Sequence, residues 1–252
     1  MIRLKSKEDI KNLRVSGKIL SDVLRALQQN AREGTYVSSL DSFARELLKR
    51  YKASSAFLGY RPEGTDKAYP AAICASLNDV VVHGVPSRKI LKEGDLLKID
   101  IGVNYKGYIT DGAVTIPIGK VSKDAKRVLE TTKRALAEAV DECRVGKRLG
   151  DIGNAIESIA KKNKCSIVEG LTGHGVGFEL HEDPVVYNFG KKGTGITIEE
   201  GLVIAIEPML SVGSPHIIQL SDESYATSDG SLSAHFEHTI AITENGSEVL
   251  TR

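Results

Sequence analysis

The apolar positions of this chain alternate between two spacings. Ile10, Leu13, Ile19, Leu20, Val23, Leu24 and Leu27 lie near one stripe at helical spacing. Ser6-Lys-Glu-Asp9 is a capping signal ahead of them and Gly34 a stop, which predicts a long first helix. Leu40, Phe43, Ala44, Leu47, Leu48 and Tyr51 predict a second. The spacing then shortens. Residues 71–82 read as strand, and Asp100-Ile-Gly-Val-Asn-Tyr-Lys-Gly-Tyr-Ile-Thr-Asp111 reads as two β segments around a turn.

From Ser122 the order begins again. Val128, Leu129, Thr132, Leu136 and Val140 predict a third helix, and Leu149, Ile152, Ala155, Ile156, Ile159 and Ala160 a fourth. Strands are expected around Leu202–Ile206, Ile217–Leu220 and His235–Ile242. Gly34, Val37, Leu40, Ala44 and Leu47 match Gly146, Leu149, Ile152, Ile156 and Ile159 without a gap, although any two capped amphipathic helices could align so. The match of Glu93-Gly-Asp-Leu-Leu-Lys-Ile-Asp100 with Glu200-Gly-Leu-Val-Ile-Ala-Ile-Glu207 is more telling, because each apolar strand ends on an acid. One α+β domain over residues 1–252 is expected, with two related halves of roughly 5–120 and 121–250 that place Asp100 and Glu207 near a pseudo-twofold axis.

Composition narrows the classes. A net charge of +1 and 41% hydrophobic residues fit a soluble globular chain and point to neither nucleic acid nor a membrane surface. Three widely spaced cysteines argue against a disulfide framework, and no signal-peptide core or membrane-length run is visible, so a cytoplasmic setting is expected.

The chemistry concentrates in acids and histidines. With the turn centred on Tyr105 and Lys106, Asp100 and Asp111 face each other directly, and a cation, a shared proton or water must offset their repulsion. Glu207 closes an apolar run, and Glu237 shares an alternating face with His235 and Thr239 while His238 points the other way. His174 sits among glycines that allow close backbone approach, His83 closes a strand, and His181 heads His-Glu-Asp-Pro184; His216 and His235 have no supporting context. Four carboxylates and an imidazole suit divalent ions such as Mn, Fe(II), Co or Zn. An acid dyad is the competing use, but it leaves Glu207, Glu237 and His174 idle.

Asn78-Asp-Val-Val-Val-His-Gly-Val-Pro86, Asp100 with Asp111, Gly173-His-Gly-Val-Gly177, His181-Glu-Asp-Pro184, Ile206-Glu-Pro-Met209 and Ser231-Leu-Ser-Ala-His-Phe-Glu-His-Thr239 occur in an order that resembles the type I methionine aminopeptidases, metallopeptidases of the pita-bread fold. The resemblance implies removal of the N-terminal methionine from nascent chains with a small second residue, at the ribosome or free of it, by a monomer. It implies two divalent ions on Asp100, Asp111, His174, Glu207 and Glu237, and a bridging water or hydroxide as nucleophile. By the same resemblance Glu207 shuttles the proton, His181 binds the oxyanion and His83 assists the leaving nitrogen. A monovalent cation (Na or K) is implied at Asn78, Val80 and Ser233.

The methionine pocket is implied to use Tyr60, Tyr69 and Cys74, and here the chain departs from the family. Phe57 replaces a usual Cys, Leu180 a usual Phe, the Tyr60–Tyr69 connection is longer, and there is no Trp, its nearest counterparts being Glu223 to Tyr225. Two other readings compete: another aminopeptidase or dipeptidase of the same fold, and a relative that has lost catalysis and binds only. The second typically loses ligands, and all five are present.

Overall fold

The computed structural model describes residues 1–61 and 67–252. Helix α1 (Lys7–Asn30) starts in the expected capping box: Ser6 Oγ accepts from Asp9 N at 3.2 Å, and Asp9 Oδ2 accepts from Ser6 N at 2.9 Å. It ends before Gly34, which serves a later turn at φ +84°. Helix α2 (Val37–Arg50) buries Val37, Leu40, Ala44 and Leu48, while Tyr51 caps its end in solvent.

Strand β1 (Ser54–Ser55) is short, and the predicted strand over 71–82 is two strands, β2 (Cys74–Leu77) and β3 (Val80–Val82). Asn78 breaks it by turning at φ +55°. Strands β4 (Leu96–Tyr105) and β5 (Tyr108–Pro117) form the central hairpin.

The hairpin register differs from expectation. Tyr105 pairs with Tyr108, so the turn is Lys106-Gly107, at φ +55° and +86°. A two-residue turn of this type needs positive φ at both positions, and glycine meets that need where tyrosine would be strained. Asp111 therefore lies opposite Gly102 and Asp100 opposite Ala113. The two aspartates are diagonal neighbours on one face rather than a direct pair, which lengthens their separation but keeps both on the same side.

Helices α3 (Lys123–Asp141) and α4 (Leu149–Lys162) come next, with Ser122 Oγ capping α3. Short strands follow: β6 (Ser166–Ile167), β7 (Gly173–Gly175) and β8 (Glu182–Val186). Then come β9 (Val203–Ile206), β10 (Met209–Ser211), β11 (Ile217–Gln219) and β12 (Tyr225–Thr227). The last are β13 (Ser233–His235), β14 (His238–Thr243) and β15 (Gly246–Val249).

The expected strand over His235–Ile242 is thus broken at Phe236-Glu237, because its two parts serve different sheets. β13 pairs with β10, and β14 pairs with β9. Strand β9 runs between β14 and β7 and is buried on both faces, as its unbroken apolar run predicts.

Two larger core clusters are built on the two helix pairs. Leu20, Leu27, Leu40 and Leu48 of α1 and α2 pack on Leu97, Ile99 and Ile101 of β4. Val128, Leu136, Ile152 and Ile156 of α3 and α4 pack on Ile204, Ile206 and Ile240. At roughly 1.5–3 kcal/mol for each fully buried aliphatic side chain, these stripes hold the helices against the sheets.

One backbone pattern occurs twice. Gly34 N donates to Leu91 O (2.9 Å) and Leu91 N to Thr35 O (2.9 Å); Gly146 N donates to Ile198 O (3.0 Å) and Ile198 N to Lys147 O (2.8 Å). The isolated bridges Tyr36–Ile90 and Arg148–Thr197 extend the correspondence. Glu237 N donates to Ala113 O at 2.9 Å.

Candidate metal and peptide site

Asp100 and Asp111 come from the hairpin, His174 from β7, Glu207 from the end of β9, and Glu237 from the break between β13 and β14. The structure brings all five to one chamber. His174 Nε2 lies 3.5 Å from Glu207 Oε1 and 3.9 Å from Asp111 Oδ2. Asp111, His174 and Glu237 each offer a donor atom within 4.8 Å of the others. Glu237, whose residue type is ordinarily solvated, is 2% exposed and Asp111 3%.

Such a cluster is costly without compensation. Among the described residues no lysine or arginine pairs with any of the four acids. Burial raises all four carboxyls, and mutual repulsion raises Asp100, Glu207 and Glu237 further, well above the usual carboxylate range. Asp111 rises only to about 7, because the Gly112 N–H (3.0 Å to Oδ1) supports its charged form. Burial of Asp111 and Glu237 limits what water can offset and leaves protons or cations as the main answer to the repulsion.

The buried oxygens Asp100 Oδ1 and Glu237 Oε1 have no hydrogen-bond partner. Protonation alone leaves these acceptors idle, whereas divalent cations would satisfy them. His174 is prepared for the same purpose. Its Nδ1 contacts Gly175 O at 2.8 Å, which places the ring proton there and leaves Nε2 free to ligate. Burial lowers its pKa to about 4, so the ring is neutral at physiological pH. The donor set fits divalent ions.

His235 is a residue that reading the sequence missed. Its Nε2 lies 3.2 Å from Glu207 Oε2 and 3.9 Å from Glu237 Oε2, but is misaligned for hydrogen bonding and has no partner. The signal was present: His235 is two residues before Glu237 on the same alternating face. His238 turns away to Thr251 Oγ1 (2.9 Å), and His216 pairs with Glu169 on the surface.

A cavity of about 1380 Å³ opens over the acids. Phe57, Tyr60, Tyr69, Cys74 and Leu180 line it, together with His83 and His181. Tyr69 Oη donates to Ile73 O and Gly84 O, and burial raises the Cys74 thiol, so both act as neutral wall residues. Tyr60 Oη lies 2.7 Å from His181 Nδ1. Burial raises the Tyr60 phenol and lowers His181 to about 3; the phenol therefore donates, and His181 keeps its proton on Nε2. His83 adopts φ +60°, an uncommon backbone for a non-glycine residue, with its ring edge-on to Tyr225. Glu223 and Tyr225 also line the cavity, and Glu223 pairs with Lys67 across it at 3.4 Å. Of the longer Tyr60–Tyr69 connection, residues 62–66 lie outside the described residues.

At the implied monovalent-cation position the Lys98 ammonium contacts the Asn78 carbonyl oxygen at 2.6 Å and the Ser233 carbonyl oxygen at 3.2 Å, and Val80 lies opposite Ala226 between β3 and β12.

Residues 11–244 match metallopeptidase family M24. A methionine aminopeptidase of Aquifex aeolicus is 43% identical, covering 99% of this chain and 98% of the relative. The chain belongs to family M24 and, within it, to the methionine aminopeptidases. Methionine aminopeptidase 1 of Bacillus subtilis is 38% identical over the full length of both chains. The crystal structure of the Thermotoga maritima methionine aminopeptidase superposes with a TM-score of 0.95 at 37% identity, each chain fully covered. A Pyrococcus furiosus prolidase superposes at TM-score 0.78 over 99% of this chain and 65% of its own, with 24% identity, and shows the shared fold alone. The fold is therefore α+β of the pita-bread type, and the chain is a metal-dependent aminopeptidase. Among the described residues no helix is long and apolar enough to cross a membrane.

Proposed function

We propose that this member of the family removes the initiator methionine from nascent polypeptides whose second residue is small, in the cytoplasm and as a monomer. We propose also that it is one domain of two related halves, roughly 5–120 and 121–250. The observation that carries the reading is the convergence of four acids, two buried and two half-buried, and a pre-oriented imidazole beneath a largely apolar cavity.

Asp100, Asp111, His174, Glu207 and Glu237 would hold two divalent ions. Ions bound there would acidify a water and polarise the carbonyl that follows the first residue. Glu207 takes a proton from the attacking water and returns it to the departing amine. His181, its Nδ1 occupied by Tyr60, presents Nε2–H to the oxygen on which negative charge develops. His83, which also lines the cavity, holds the scissile nitrogen. Phe57, Tyr69, Cys74 and Leu180 receive the methionine side chain and keep water from it.

The fold alone would also accommodate a proline-directed dipeptidase. Assaying Met-Ala-Ser against Ala-Pro peptides with added Mn or Co separates the two. Chelator-sensitive cleavage of Met-Ala-Ser alone is expected; preference for Ala-Pro would overturn the reading.

A further inference from the structure

Lys98 lies in β4, two residues before Asp100 and on the same strand face, with Ser76 opposite it in β2. It is 1% exposed and is among the largest fully buried side chains of the protein. Lysine is almost never buried without partners. Its Nζ reaches Asn78 O at 2.6 Å, Ser233 O at 3.2 Å and Ser233 Oγ at 3.2 Å. An ammonium has three N–H donors, and all three are used.

The cradle around it is set independently of the lysine. Asn78 turns the chain between β2 and β3 at φ +55°; its Nδ2 donates to Asp95 Oδ1 (3.0 Å) and its Oδ1 accepts from Leu96 N (2.9 Å). Ser233 N donates to the same Asn78 O at 3.1 Å. These oxygens converge as they would on a bare cation, and Ser233 starts the segment that leads to His235 and Glu237. A positive charge at this point ties the strand carrying Asp100 to the segment carrying Glu237. A free sodium or potassium ion on the same oxygens would have to sit in contact with Nζ, where like charge excludes it.

We propose that Lys98 is a tethered cation that takes the place of a monovalent ion at Asn78 and Ser233, so that the fold and its acid cluster need neither sodium nor potassium. The inference rests on the lysine and its oxygens and stands apart from the peptidase reading, since both readouts below omit substrate.

The test compares the full-length protein with Lys98→Ala in sodium, potassium or choline chloride at one ionic strength and pH 6, following thermal unfolding and ²³Na line width. The unmodified protein should unfold at the same temperature in all three salts and show no potassium-displaceable sodium broadening. Lys98→Ala should gain that broadening and unfold about 3 °C higher in sodium or potassium than in choline, once the ion exceeds its dissociation constant about tenfold. Potassium-displaceable broadening by the unmodified protein would overturn the proposal. So would a folded Lys98→Ala that responds to neither ion, because the lysine would then be only a hydrogen-bond donor. If Lys98→Ala does not fold, the sodium measurement on the unmodified protein decides alone.

Discussion

Thr239 of β14 and Asp111 of β5 clasp each other. Thr239 Oγ1 donates to Asp111 O at 2.8 Å and accepts from Asp111 N at 2.9 Å. One buried hydroxyl of β14 thus holds the backbone of a candidate ligand that the β4–β5 hairpin supplies. Thr239→Val keeps the shape and leaves both peptide groups without a partner. We expect a loss of about 2 kcal/mol, or roughly 6 °C in melting temperature for a domain of this size. Metal affinity should fall about tenfold, as for other groups that orient a ligand. Calorimetry and metal titration check both; a variant that melts as the parent does would show that water satisfies Asp111 equally well.

Tyr60 lines the cavity and also holds His181. Its phenol at 2.7 Å from Nδ1 selects the tautomer that places a proton on Nε2. Tyr60→Phe frees the ring to exchange tautomers, so kcat should fall about tenfold with KM little changed, while His181→Ala should cost on the order of 100-fold. In the His181→Ala background, Tyr60→Phe should add little, because its target is gone. Additive losses in steady-state assays would place Tyr60 in direct contact with substrate instead.

The acids also set a pH signature for metal binding. Burial and repulsion raise Asp100, Glu207 and Glu237 well above their usual range, and burial raises Asp111 to about 7, in the metal-free protein. A carboxyl with a raised folded-state pKa contributes stability that is complete below its unfolded value and is lost as pH climbs through the folded one. Between pH 7 and 8.5 unfolded histidines are already neutral, so His174, His181 and His235, with folded values of about 3 to 4, no longer change the balance. The opposing contribution of Lys98, lowered by burial to about 7, is common to the loaded and metal-free forms and cancels in their difference. The gain in melting temperature on adding Mn should therefore be larger at pH 8.5 than at pH 7, by about 5 °C. A gain that is flat or shrinks with pH would mean that the acids are not the ligands.

Much of this arrangement was legible from periodicity and local chemistry. The four helices follow their apolar stripes, and Ser6 and Ser122 cap where capping chemistry places them. The five candidate ligands share one chamber: Asp100, Asp111 and His174 from within strands, Glu207 and Glu237 from where strands end. Register was harder to read. The choice between Tyr105-Lys106 and Lys106-Gly107 as turn centre depends on which residue tolerates positive φ, and it moves Asp111 from Asp100 to Gly102. Phe236-Glu237 read as strand interior because sequence alternation does not reveal that a chain changes sheets. Lys98 was invisible for a related reason. A lone lysine in an alternating strand ordinarily points to solvent, and only Asn78 and Ser233, distant along the chain, make its burial tolerable.

The register of the hairpin also shapes the pocket. Gly102, opposite Asp111, lies where a Cβ would stand 2.8 Å from Phe57 Cε1, 3.0 Å from Ala56 Cβ and 3.1 Å from Leu180 Cδ1. Phe57 and Leu180, two of the positions at which this chain departs from the family pattern, are therefore packed against the one position of β4 that carries no side chain. Gly102→Ala should push one of them into the cavity, at an overpacking cost of about 1–3 kcal/mol. Because the change faces the side-chain pocket and spares the acids, KM for methionyl peptides should rise about tenfold with metal content unchanged. Adding Leu180→Ala makes room for the new methyl and should recover most of the affinity. Peptide kinetics with metal analysis on the single and double variants test this. Loss of metal in Gly102→Ala, or no rescue by Leu180→Ala, would mean that the strand shifts as a whole and carries Asp100 with it.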